Sequence, residues 1–210
     1  MTDTVLLHHA PMSRGNIAFW MLEEMGIPYR LNLLHLDRQD HKKPDYLAVN
    51  PMGKVPALEH RGVVVTEVAA VCAYLADAFP EAKLAPKIDD PRRGIYYRWM
   101  FFAPGCLEMA VFDRMTGHTT PMPSASGYGD YDTTIETVAQ AVAKGPYVLG
   151  EQFSAADVVL GSHIIWGMMM KGMPERTEFT AYAQRLQARP AWQRTLAKNQ
   201  ALHAEQRPTG

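Results

Sequence analysis

Four short stretches carry residues whose types and spacing could do chemistry. Ser13 and Arg14 stand where the apolar run Thr4 to His9 and Pro11 give way to a helical rhythm at Ile17, Trp20, Met21 and Met25. A hydroxyl at a helix start donates a hydrogen bond and lies among unpaired backbone N–H groups, a combination that stabilises an anion such as a thiolate. Serine there is equally at home as a plain helix N-cap. Val55-Pro56 follows a glycine-containing turn and opens a strand-like run, where proline has no amide to give to a ladder. Glu67 opens a further helix, a position at which the helix dipole favours an acidic side chain whatever its function. His41, Lys42 and Lys54 are polar loop residues able to meet a carboxylate or simply to be solvated. His8 and His9 are adjacent on a strand, so they point to opposite faces and cannot share one metal ion. Cys72 recurs at helical spacing with Val68, Ala69 and Leu75 and reads as a small buried hydrophobe.

These residues need elements to position them. The run ending at His9 is a strand, and the helix after Ser13 stops at Gly26 with Pro28 beyond it. Tyr29 to Leu36 reads as a second strand, Asp37 to Lys43 as a loop, and Pro44 opens a short helix. Val55 to Glu59 and Val63 to Thr66 form a hairpin about His60, Arg61 and Gly62, and Glu67 to Phe79 is a closing helix. The pattern predicts a small α/β unit of order βαβαββα over residues 1–80, a linker over 81–91, and an all-α domain over 92–210. Its helices are expected at 92–116, 131–143, 155–169, 178–188 and 191–204. The stretch 117–130, dense in Gly, Pro, Ser and Thr, reads as a mobile excursion.

Composition narrows the classes of function. The chain has 210 residues, 47% hydrophobic and 20% charged, with a formal net charge of -1. That is enough apolar material for two cores, and it lacks the cationic excess of a sequence-independent nucleic-acid surface. Two cysteines in no paired spacing fit a reducing cytoplasm. No basic region precedes a long apolar segment at the N-terminus, so no secretory signal is expected. The apolar stretch from Val158 to Met170 is short for a membrane span and reads as a buried helix. Ser154 and Asp157 have the spacing of a capping box at its start.

Three segments resemble the glutathione transferases: HHAPMSRGNIAFWMLEEMG, NPMGKVPALEHRGVVVTEVAAVCAYLADAFP, and LGEQFSAADVVLG with the later ARPAWQRTL. The resemblance implies a thioredoxin-like N-terminal domain that binds glutathione and an all-helical C-terminal domain. It implies that Ser13 stabilises the glutathione thiolate, with Arg14 as an electrostatic aid. It implies a cis Val55-Pro56 bond that turns the Val55 backbone toward the cysteinyl unit, with His41 and Lys54 near the glycyl carboxylate. Glu67 would bind the γ-glutamyl end, where the next residue is usually Ser. Here it is Val68. Losing that charged-group hydrogen bond, worth roughly 1.5–3 kcal/mol, is expected to weaken glutathione binding on the order of tenfold. Met12, Tyr97 and Phe101 are expected to meet an apolar electrophile as second substrate.

The function so implied is conjugation of glutathione to a small hydrophobic electrophile, by a cytoplasmic homodimer with no metal, nucleic-acid or membrane partner. A non-catalytic glutathione-binding, hydrophobe-binding or protein-docking module of the same fold is the alternative. A glutathione-dependent isomerase is a third reading, disfavoured because no Ser-Ser-Cys loop is present.

Overall fold

The computed structural model describes residues 4–206 and forms two compact units. The first holds the described residues up to Ala82 together with those from Arg189 onward; the second is Lys83–Ala188.

In the first unit, β1 (Val5–His9), α1 (Gly15–Met25), β2 (Tyr29–Leu33), a 3-10 turn (Asp40–Lys42), α2 (Pro44–Leu47), β3 (Ala57–His60), β4 (Val63–Thr66) and α3 (Val68–Ala78) follow in order. The sheet order is β2-β1-β3-β4, with β1 parallel to β2 and the other two pairings antiparallel. This is the expected βαβαββα arrangement. Gly26 ends α1 in the left-handed region at φ 64°, its N–H donating to the Leu22 carbonyl. α1 is buried nearly all round, because the sheet, α3 and the last helix α9 (Pro190–Gln206) all cover it.

Residues 189–206 lie in the sequence-defined helical region, yet they group with the first unit through a set of ion pairs on α1. Arg189 forks onto Glu24 at 2.7 and 2.8 Å, while Arg194 and Lys198 reach Glu23 at 3.0 and 2.5 Å. Trp192 meets Trp20 edge to face at 4.8 Å. The spacing of charges along α9 says that it is helical, and only its docking says where it belongs.

The second unit contains α4 (Arg92–Phe102), a π-helical turn (Ala103–Leu107), α5 (Glu108–Thr116), α6 (Tyr131–Val142), α7 (Ala155–Met169) and α8 (Thr177–Gln187). The single helix expected over 92–116 is therefore interrupted. Pro104 lacks an N–H and its ring crowds the carbonyl four residues back, so the ladder widens there. α7 is the central helix, buried from Ala155 to Ile164 and packed by α4, α5 and α8. Its far end differs from expectation, since Met169 and Met170 are exposed. Among the described residues no helix is long and apolar enough to cross a membrane.

The expected linker is tied down from Lys83 onward: the Leu84 carbonyl accepts from the Ala155 amide at 2.7 Å and Arg93 donates to the Pro86 carbonyl at 2.6 Å. The stretch 117–130 is likewise anchored. It contains a 3-10 turn at Pro123–Ala125, and the Tyr128 hydroxyl donates to Asp113 on α5 at 2.6 Å. Asp130 then caps α6 by accepting from the Thr133 amide at 2.8 Å.

Candidate functional site

Strand register brings the candidate residues to one end of the sheet. His8 pairs with Ala57 and Ala57 with Thr66, so the C-terminal end of β1, the start of β3 and the end of β4 are neighbours. His9 pairs with Leu33, which places the end of β2 beside them. The segments leaving these ends carry Met12, Ser13 and Arg14; Lys54, Val55 and Pro56; Glu67 and Val68; and His41.

The Ser13 hydroxyl donates to the Ala10 carbonyl at 2.6 Å and accepts from the Gly15 amide at 3.0 Å. The helix cap is Arg14, which makes no side-chain capping bond, so Ser13 holds the turn one residue upstream of the cap. Met12, exposed beside it, has φ 57°, a left-handed conformation that is uncommon for a residue with a side chain. Gly15 has no room for a side chain: a Cβ would lie 2.5 Å from His9 Nδ1 and 3.1 Å from Ser13 Oγ.

The Val55-Pro56 bond is cis, and β3 begins at the next residue. The Lys54 carbonyl just before it accepts from the Tyr46 hydroxyl at 2.5 Å and from Asn50 Nδ2 at 2.9 Å. The Val55 side chain packs against Leu34, Tyr46 and Ala57, while the Lys54 side chain is exposed. Gly53, at φ 59°, lets this turn approach the 3-10 segment, because a Cβ there would stand 2.7 Å from the His41 carbonyl. His41 Nδ1 is buried with no hydrogen-bond partner. Lys42 is engaged on the turn itself, donating to the Met52 carbonyl at 3.2 Å.

Glu67 is exposed at the start of α3 with φ 65° and ψ 119°, outside the regions open to most residues. Its carboxylate makes no capping bond to the helix. The Val68 side chain is buried, which leaves the backbone amides of the first turn as what this position offers to solvent. Two helix starts with their partial positive charge, at Gly15 and Val68, thus follow two strained loop residues at the same end of the sheet.

In the second unit, Tyr97 and Phe101 are exposed on α4 with rings stacked at 6.1 Å, and the Arg93 guanidinium lies over the Tyr97 ring at 5.0 Å. Tyr96, Trp99 and Met100 of the same helix are buried, so one of its faces is core and one is open.

Sequence reasoning missed the role of His9. It is buried, with Nε2 2.8 Å from Asn199 Oδ1 on α9, whereas His8 on the opposite face meets Glu59 and Asn32. No local pattern links a strand residue to a partner so distant in the chain. Burial lowers the His9 pKa from 6.5 to about 4, against the hydrogen bond with Asn199, which raises it. The unfolded chain therefore binds a proton below about pH 6.5 that the folded chain refuses until about pH 4. This contribution to stability is full above the upper value and falls by about 3 kcal/mol as pH drops to the lower one. Urea denaturation at stepped pH should show that loss, and a His9→Asn variant should lack it. Parallel pH profiles for the two proteins would contradict the assignment.

Cys72 is fully buried, and burial pushes its thiol pKa up, so it is no nucleophile. Among the described residues no group of three or more His, Cys, Asp or Glu is placed to hold a metal ion.

A family model described as the N-terminal domain of glutathione S-transferase matches residues 13–78, the segment that bears the first-unit candidates from Ser13 to Val68. A Sulfitobacter glutathione transferase homolog, solved with bound glutathione, superposes with a TM-score of 0.75 at 27% identity, covering 94% of this chain and 99% of that one. The chain is similar to the glutathione S-transferases, by this domain over residues 13–78 and by fold over nearly its whole length. The bacterial transferase BphK, solved as a ternary complex, gives a TM-score of 0.77 at 27% identity over 93% of this chain and 99% of its own. The glutathione S-transferase hmp2 of Hypomyces subiculosus is 26% identical over 92% of this chain and 98% of its own length. The fold is thus that of the glutathione transferases.

Proposed function

We propose that this protein is a glutathione transferase that binds glutathione at the described end of the sheet, activates its thiol at Ser13, and adds it to a small apolar electrophile. The observation that carries the reading is the strand register His8–Ala57–Thr66, which gathers the Ser13 loop, Val55-Pro56 and Glu67 from separate parts of the sequence. The tripeptide's chemistry matches these groups. Its γ-glutamyl end carries an amine for Glu67 and a carboxylate for the α3 N-terminus, and its glycyl carboxylate suits the unpartnered His41 Nδ1 and the exposed Lys54.

A free thiol with a pKa of about 8.5 is mostly protonated at neutral pH. To stabilise the thiolate, Ser13 turns its hydroxyl from the Ala10 carbonyl toward sulfur, while the Gly15 amide keeps its oxygen in place. The thiol proton leaves to water, and the sulfur lone pair forms the bond to the electrophile's carbon. Arg14, exposed at the cap, adds positive charge to the same loop. Met12, exposed next to Ser13, is proposed as a contact for the electrophile.

Glu67 supplies the test. Its backbone conformation costs of the order of 1–3 kcal/mol, a strain that glycine would relieve. Glu67→Gly should therefore gain about 1 kcal/mol in urea denaturation and lose at least about tenfold in glutathione affinity by titration calorimetry. Unchanged affinity would remove Glu67 from the site. The buried Val68 side chain, standing where a hydroxyl is usual, favours the non-catalytic binding module as the second reading. Absence of any binding heat at millimolar glutathione in the unmodified protein would select a module that does not use glutathione at all.

A further inference from the structure

Beneath the Ser13 loop lies a buried imidazole that the proposed chemistry does not use. The amide of Asn199 is oriented by α9 itself, since its Nδ2 donates to the Thr195 carbonyl one turn back at 3.1 Å. Its Oδ1 therefore faces His9 Nε2 at 2.8 Å, and an acceptor there requires the ring proton on Nε2. Nδ1 is then a bare lone pair. It faces the Gly15 backbone without a well-aligned hydrogen bond, so close that a Cβ on Gly15 would be 2.5 Å away. Burial keeps the ring neutral, although Asn199 and the Gly15 backbone both favour its protonated form. Phe19, Gly15 and Asn199, which surround the ring from α1 and α9, carry no charge. The same Gly15 donates its amide to Ser13 Oγ at 3.0 Å.

We propose that His9 is a positioning residue for Ser13: its unprotonated Nδ1 edge, oriented by Asn199, seats Gly15, and the Gly15 amide in turn fixes the Ser13 hydroxyl. The last helix of the chain thereby sets the geometry of the first loop. This inference rests on the reading of Ser13 as the thiolate-stabilising group.

Two isosteres divide the two edges of the ring. In His9→Gln the terminal amide reaches toward Asn199 and nothing occupies the Nδ1 place; in His9→Asn an amide oxygen takes the Nδ1 place and the link to Asn199 is lost. Glutathione is titrated by ultraviolet thiolate absorbance on each variant, on Ser13→Ala and on the unmodified protein, with thermal midpoints measured in parallel. H9Q is expected to raise the pKa of bound glutathione by about one unit, a tenfold loss of thiolate below both values, while keeping the higher midpoint of the two variants. H9N should keep the thiol pKa of the unmodified protein at a lower midpoint. Equal thiol pKa values in H9Q and H9N overturn the proposal, and so does a shift confined to H9N. Should H9Q fail to fold, H9N alone decides, because a raised thiol pKa there is incompatible with the role of Nδ1. If the unmodified protein and Ser13→Ala bind glutathione with the same thiol pKa, the Ser13 reading fails and the inference falls with it. If those two differ and H9Q matches the unmodified protein, the inference alone is refuted.

Discussion

Ser13→Ala should lower kcat/KM toward an apolar electrophile by about 10- to 100-fold and raise the pKa of enzyme-bound glutathione by one to two units. The estimate follows from the bond removed, since a hydrogen bond to a charged acceptor is worth about 1.5–3 kcal/mol. The fold should bear the change. Ser13 is at the surface end of its loop, and its loss leaves the Gly15 amide and the Ala10 carbonyl short of one partner each, at a cost of about 1 kcal/mol. The expected signature is a large kinetic effect with a small stability effect, read from steady-state rates, thiolate absorbance and urea denaturation of the same preparation. A kcat/KM within twofold of the unmodified protein would assign Ser13 to the turn alone, the plain structural role that a serine at a helix start commonly has.

Asp157→Ala should show the reverse signature: a loss of about 3–5 kcal/mol of stability with no direct effect on the candidate site. Asp157 is fully buried at the first turn of α7. One carboxylate oxygen accepts from the Ser154 amide at 2.8 Å and the Ser154 hydroxyl at 3.0 Å, and the other from the Val148 amide at 2.9 Å and the Tyr182 hydroxyl at 2.8 Å. Burial pushes its carboxyl pKa up, and these four donors pull the other way. The capping box legible in the sequence is thus only half of its work, because the second oxygen joins the chain before α7 and the helix α8 to the same point. Alanine strips all four donors of their acceptor inside the core of the second unit. Denaturation monitored by far-ultraviolet circular dichroism tests this, and a loss under about 1 kcal/mol would mean that water replaces the carboxylate. Asp157→Asn should fall between, since one amide oxygen remains while the NH2 group meets donors.

Much of the first unit was legible because its signals are local. The strand, turn and helix from Val5 to Met25 follow from an apolar run, Pro11, a helical period and Gly26, each acting within a few residues of itself. The hairpin Ala57–Thr66 and the helix behind it are of the same kind. The candidate residues Ser13, Val55, Pro56, Glu67 and Val68 follow from the resemblance, and only β-pairing carries their segments to one end of the sheet. The strained backbone of Met12 and Glu67 had no sequence signal, as neither is the glycine that positive φ favours.

In the second unit, helical periodicity alone runs through Pro104, so one long helix was expected where a π-helical turn stands. The stretch 117–130 has the composition of a free loop, and its anchoring through Tyr128 and Asp113 depends on a contact across the turn of the chain.

The sequence by itself determined the order of elements in the first unit and the resemblance to the glutathione transferases, since each is written in short-range periodicity, turn residues and local motifs. Only the tertiary structure decided that α9 covers α1, that His9 finds Asn199, and that the buried imidazole lies under Gly15 next to Ser13. The physical reason is range. A strand residue carries no mark of the helix that will pack on it, and the protonation of an imidazole follows from its burial and its hydrogen-bond partner, which exist only once the distant parts of the chain have met.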